Sequence, residues 1–242
     1  MNNDYTQAEL YEIIYAHAEW LRDLHTGERA DLSNKRLRGV NLPCVDFRKA
    51  YLRGADLREA DLRGAGLCEA DLNAADLRGA DLREADLQGS DLSSADLREA
   101  YLRGAYLRGA DLREADLQGS DLSSADLREA DLRSADLTQA TLYGADLSGA
   151  DLRGVAFCGA NLYAVKGNIL ALGPLGKRNR LTYAYSHDNI VYVRCGCFEG
   201  TLAAFAAKVA ETHHGNEHEA AYNAAIEFIR TIAKLRWGIA SC

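Results

Sequence analysis

The chain has 242 residues, of which 26% are charged and 48% hydrophobic, and its net charge is −8. That sign argues against a general nucleic-acid binder. The opening MNNDYTQAEL carries no basic leader and no later apolar run could span a bilayer, so a cytoplasmic protein with no membrane contact is expected.

Residues 1–29 read as an N-terminal capping helix. Thr6 and Glu9 form a capping box, and Leu10, Ile14, His17, Leu21 and Leu24 recur at three- and four-residue spacing. Gly27 is the expected stop. The apolar face should cover the open end of the segment that follows, with His17 packed there rather than active in chemistry.

Residues 30–165 repeat one phrase, A-D-L-R-x, with an apolar residue at every fifth position from Leu32 to Leu162, 27 times without a slip. A helix has period 3.6 and a half-buried strand period 2, so period 5 signals a solenoid. The central residue is Leu except at Phe47 and Phe157, and two residues earlier stands Ala, with Ser90 and Ser120 as near-isosteres. Both positions should point inward. Asp before the centre and Arg after it should face water.

These residues resemble the pentapeptide-repeat family, whose pattern is A(D/N)LXX. The resemblance implies an all-β solenoid, a right-handed quadrilateral β-helix with four pentapeptides, 20 residues, in each coil. The 27 repeats would then make nearly seven coils, and strands stacked about 4.8 Å apart give a rod roughly 32 Å long. Some members of the family mimic duplex DNA and bind DNA gyrase or another type II topoisomerase.

Charge bears on that activity. Residues 30–115 hold 16 acidic and 14 basic side chains, whereas 116–155 hold 8 and 3. Asp116, Asp121, Asp126, Glu129, Asp131, Asp136, Asp146 and Asp151 are therefore the residues that would carry a DNA-like surface. The competing expectation is a solvated face, in which Asp of one coil is offset by Arg of its neighbours. The unbroken register also lacks the projecting loops of the plasmid-borne quinolone-resistance members.

Residues 77–100 recur unchanged at 107–130, an offset of 30 that is one and a half coils. Identical surfaces should appear on opposite faces, with Asp81 and Asp111 equivalent. Tyr143 and Tyr163, beside Thr141 and Asn161, should stack one coil apart as an uncharged patch, a docking surface for residues 166–242 or for a second subunit. Tyr51, Tyr101 and Tyr106 replace Asp on three different faces and read as isolated variation.

Residues 166–242 form a small α+β segment, a cap or an interaction module. Asn168–Leu172, Arg180–Ser186 and Ile190–Cys197 read as strands separated by G-P-L-G-K and H-D-N turns. A helix should run from Thr201 to His213, with Leu202, Phe205, Ala206 and Val209 on one face. A second should start at an Asn216–Glu219 capping box and reach Trp237, with Tyr222, Ile226, Ile229 and Ala233 inward.

Six scattered cysteines read as free thiols. Cys195 and Cys197 with His213 and His218 could furnish four zinc ligands, but the histidines sit in a turn where polar residues are expected, and no cofactor is assigned. An enzyme would have to use His187, Asp188, His213, His214 or the thiols. The expected function is a non-enzymatic interaction or assembly scaffold with an unknown protein partner, a homodimer among the options. The alternative is a DNA-mimic modulator of a type II topoisomerase.

Overall fold

Asp31 forms a parallel β-bridge with Tyr51, and bridges between residues 20 apart continue at every fifth position up to Thr141 and Asn161. This computed structural model describes residues 3–23, 25–175, 180–195, 198–215 and 218–239. Two compact units divide the chain, Met1–Lys166 and Gly167–Cys242.

In the first unit each pentapeptide closes its own turn and bonds the next coil. The Leu52 N–H donates to Asp71 O at 2.8 Å, and the Asp71 N–H donates back to Ala50 O at 3.0 Å. Within the repeat, the Ala55 N–H donates to Leu52 O at 3.0 Å, with Gly54 at φ 63° as the third turn residue. Positive φ there explains the frequent Gly, although Glu59 and Glu99 adopt the same conformation at 59° and 58°. Asp is favoured before the centre for a local reason. Its carboxylate accepts the N–H two residues on, as Asp71 does from Asn73 at 3.1 Å, and Asn161 does the same for Tyr163 at 3.1 Å.

The inward Leu and Ala columns are buried from Ala30 to Ala160. Ser90 and Ser120 fit the Ala slot because each hydroxyl donates to a carbonyl of its own turn, to Leu87 O at 2.8 Å and Leu117 O at 2.7 Å. A buried hydroxyl with a partner escapes most of the desolvation cost.

Helix α1, Gln7–Arg22, has the Thr6–Glu9 capping box at its start. It ends five residues before Gly27, because Asp23 turns extended and its N–H closes on Glu19 O at 3.0 Å. Gly27 serves the return of the chain instead. At φ 67° it presses against the helix, where an added Cβ would lie 2.2 Å from Ala16 O. Leu24 lies outside the described residues.

The segment before the repeats supplies the partners that a preceding coil would have given. Asp4 N–H donates to Arg36 O at 3.0 Å, Asn3 Nδ2 to Arg38 O at 3.0 Å and Gln7 Nε2 to Asn41 O at 3.0 Å. Buried His17 spans two groups, its Nε2 lying 3.1 Å from Arg48 O and its Nδ1 accepting the Ala30 N–H at 3.1 Å. An exposed strand edge is thereby closed by hydrogen bonds as well as covered.

In the second unit, strands β1 (Ile169–Leu175), β2 (Arg180–His187), β3 (Ile190–Cys195) and β4 (Phe198–Thr201) form one antiparallel sheet in that order. β1 reaches three residues past its expected end. β3 stops at Cys195, and Cys197 lies outside the described residues, as do positions 176–179 of the β1–β2 turn. The H-D-N turn has Asp188 at φ 48° and Asn189 at φ 59°, the left-handed pair that matches strand twist in a two-residue hairpin. β4 was not expected, because F-E-G-T is short and holds a glycine. Its pairing of Arg194 with Glu199 and of Tyr192 with Thr201 is a tertiary outcome.

Helix α2, Leu202–His213, starts at Thr201, whose hydroxyl accepts the Ala204 N–H at 3.2 Å. Helix α3, Glu219–Arg236, begins after His218 without a side-chain cap, contrary to the expected capping box; Asn216 itself lies outside the described residues. Glu219 instead reaches back to accept the Gly215 N–H at 2.6 Å. Val191, Val193, Leu202, Phe205, Val209, Tyr222, Ile226 and Ile229 build this unit's core.

Candidate interaction surface

The rod's surface is organised by ion pairs. Arg58 chelates Asp56 with bonds of 2.7 and 2.5 Å, and its Nε lies 3.4 Å from Asp76 in the next coil. The same steps link Arg78 to Asp76 and Asp96, and Arg98 to Asp96 and Asp116. Another ladder runs from Asp111 through Arg113, Asp131, Arg133 and Asp151 to Arg153. The Arg83 guanidinium holds the Asp81 carboxylate below the ordinary acid range, and Arg128 does the same for Asp126.

The acidic candidates separate by partner. Asp126, Asp131 and Asp151 are chelated by Arg128, Arg133 and Arg153, and Glu129 accepts Arg108 at 2.8 Å. Asp116 accepts the Gln118 N–H at 3.1 Å and lies 3.4 Å from Arg98. Asp121 is held by the N–H and hydroxyl of Ser123, Asp136 by Thr138 N–H and Gln118 Nε2, and Asp146 by Ser148 N–H. These last three have no cationic partner among the described residues, and the bridge register places them on three different faces. They do not converge on one site.

The duplicated sequences pair differently. Arg78 chelates Asp76, but Arg108 follows Tyr106 and turns to Glu129 in the next coil. Gln88 bonds its own Asp86 at 3.0 Å, whereas Gln118 reaches Asp136 at 3.0 Å. The residue two before decides for the arginines, Asp76 against Tyr106, and the residue 18 on decides for the glutamines, Tyr106 against Asp136.

Tyr143 and Tyr163 stack with centroids 5.7 Å apart and planes 16° from parallel, and they are 50% and 70% exposed. The bridges Tyr101–Asp121, Asp121–Thr141 and Thr141–Asn161 put exposed Tyr101 on this same face, two coils from Thr141 with Asp121 between them. Tyr51 is also engaged, with the Arg29 guanidinium 3.6 Å from its ring centroid and 5.4 Å from that of Trp20. Tyr106 remains an exposed substitution on the adjoining face.

In the second unit Cys195 accepts the Thr182 hydroxyl at 3.1 Å and shares the wall of a small cavity with His213 and Tyr222. His213 stacks on Tyr222 at 4.6 Å and meets His218 edge-on at 6.1 Å. Burial, with the Cys195 thiol next, pushes the Tyr222 hydroxyl pKa up. Among the described residues no three His, Cys, Asp or Glu side chains group as a metal would require. Cys44, Cys68, Cys158 and Cys195 are free thiols, while Cys197 and Cys242 lie outside the described residues. His187 Nε2 lies 3.2 Å from the exposed Asp188 carboxylate at the β2–β3 turn. No described helix is long and apolar enough to cross a membrane.

A family model described as pentapeptide repeats matches eight copies within residues 28–58, 60–98, 90–128 and 125–163. No curated protein matches. Among solved structures, a trypsin-treated form of QnrB1, a plasmid-mediated fluoroquinolone resistance protein, is 22% identical over 58% of this chain and 86% of its own, with a TM-score of 0.35. Rfr23 from the cyanobacterium Cyanothece is 23% identical over 66% and 99%, with a TM-score of 0.32. HetL, involved in heterocyst differentiation regulation in the cyanobacterium Nostoc, is 29% identical over 61% and 95%, with a TM-score of 0.24.

Proposed function

The chain belongs to the pentapeptide-repeat family, and we propose that within it this protein is a non-enzymatic, cytoplasmic interaction scaffold. The right-handed β-helix is the rigid rod, residues 1–29 seal its first coil, and residues 166–242 dock a partner or a second copy. The observation that carries this reading is the stacked, exposed Tyr143–Tyr163 pair, where Thr141 and Asn161 stand in place of Asp. Tyrosines are enriched at protein interfaces because they bury large area while ordering few torsions.

Quantitative capture with wild type and with a Tyr143→Ser, Tyr163→Ser variant tests it. A protein retained by the first and lost by the second supports the scaffold reading; identical profiles remove this surface from it.

A second reading, a DNA-mimic modulator of DNA gyrase, draws on Asp121, Asp136 and Asp146, whose carboxylates hold no cation among the described residues. A supercoiling assay with the protein in excess decides it. The absence of both inhibition and protection from a topoisomerase poison would sink the idea.

A further inference from the structure

Helix α3 carries two apolar faces. Tyr222, Ala225, Ile226, Ile229 and Ala233 are buried within its own unit. Turned away from them, Ala221, Ala224, Phe228, Thr231 and Leu235 are all exposed, at spacings of three, four, three and four residues. That spacing is the a/d seam of a helix pair. Phe228 is 50% and Leu235 75% exposed. The Thr231 hydroxyl donates to Glu227 O at 2.9 Å, which leaves its methyl group to the seam.

We propose that this seam packs antiparallel against the same seam of a second copy, about a two-fold axis between Phe228 and Thr231. The proposal rests on residues 166–242 being the docking or oligomerisation segment. Phe228 then meets the partner's Thr231, and Ala224 meets the partner's Leu235, a small residue opposite a large one. Charge fixes the direction. Glu227 and Lys234 flank the seam on one side, one heptad apart, and antiparallel packing brings Glu227 of each copy to the partner's Lys234, twice by symmetry. A parallel pair would instead set Glu227 against the partner's Ile232. Among the described residues Lys234 has no anionic partner, and the Glu227 carboxylate pairs with Arg230 at 2.5 Å.

Sedimentation equilibrium of the full chain over roughly 1 to 100 µM should show a dimer. Phe228→Glu with Leu235→Glu should raise the dimer Kd about 30-fold or more, the scale of losing a central anchor. Both side chains are exposed, so the circular dichroism spectrum should not change. Glu227→Lys and Lys234→Glu should each weaken the dimer, and the two together should restore it. A monomeric wild type at the highest concentration, or a dimer indifferent to the paired glutamates, overturns the proposal. So does a double charge swap that fails to rescue. These outcomes decide only whether residues 166–242 dock a second copy, whereas the tyrosine variant tests the scaffold reading on the other unit.

Discussion

His17 Nδ1 accepts the backbone N–H of Ala30 at 3.1 Å, which ties α1 to the first residue of the first repeat. Its Nε2 lies 3.1 Å from Arg48 O, so the ring is neutral with the proton on Nε2. Desolvation lowers its pKa below the ordinary histidine value, opposed by the Arg48 carbonyl and the Asp46 charge and assisted by Arg29 and Arg48.

A group that resists protonation when folded contributes fully above its unfolded pKa, about 6.5, and the contribution falls as pH drops below that value. Thermal midpoint and protection of the Ala30 amide from exchange should therefore decline from pH 8 to pH 5. His17→Phe should lose about 2 kcal/mol or more, because it orphans both backbone groups, and should flatten that pH dependence. An equal slope in wild type and variant would show that His17 is not the titrating group.

Two glycines with the same φ separate strain from collision. Gly109 at φ 67° has nothing within 4 Å of an added Cβ, whereas Gly27 at φ 67° would place one 2.2 Å from Ala16 O and 2.6 Å from Trp20 N. Gly109→Ala should cost about 1 kcal/mol from the left-handed backbone alone. Gly27→Ala should cost more than twice that, since the return to α1 must move. Equal losses in denaturant titrations would contradict this.

Removing one rung of the ladder should matter little. Arg98 is 43% exposed on its side chain although it bonds Asp96 and approaches Asp116, and pairs this open to water are worth about 0 to 1 kcal/mol. Arg98→Ala should stay within that range. The carboxylates held low by arginine, Asp81, Asp111 and Asp126 among them, keep their stabilisation above the unfolded value of about 3.9 and lose it as pH falls below. A second acid transition, separate from that of His17, should appear there in a pH-resolved melt.

Inside the rod, Leu97→Ala empties a fully buried site and should cost about 2 to 5 kcal/mol. Ser120→Ala should cost less than about 1 kcal/mol, because Leu117 O keeps its bond from the residue 120 N–H, 3.1 Å long. A Ser120→Ala loss as large as that of Leu97→Ala would assign the hydroxyl a role beyond its own turn.

Tyr101 and β4 mark where reading the chain residue by residue falls short. Tyr101 reads as isolated variation, yet counting back by 20 from Asn161 through Thr141 and Asp121 puts it on the face that carries Tyr143 and Tyr163. The exposed seam of α3 could have been found from its three- and four-residue spacing, but the stronger inner face of the same helix masks it.

The pentapeptide period by itself determined the Leu and Ala columns, the Asp-capped turns and the solenoid, because every interaction that selects those residues closes within three positions or repeats identically along the chain. The capping box of α1 is local in the same way. Only tertiary structure decided which second carboxylate, in the next coil, an arginine approaches, which carbonyls the N-terminal segment satisfies, and that F-E-G-T becomes a strand. Those partners come from other coils and strands, and identical sequences such as 77–100 and 107–130 bond differently because their neighbours differ.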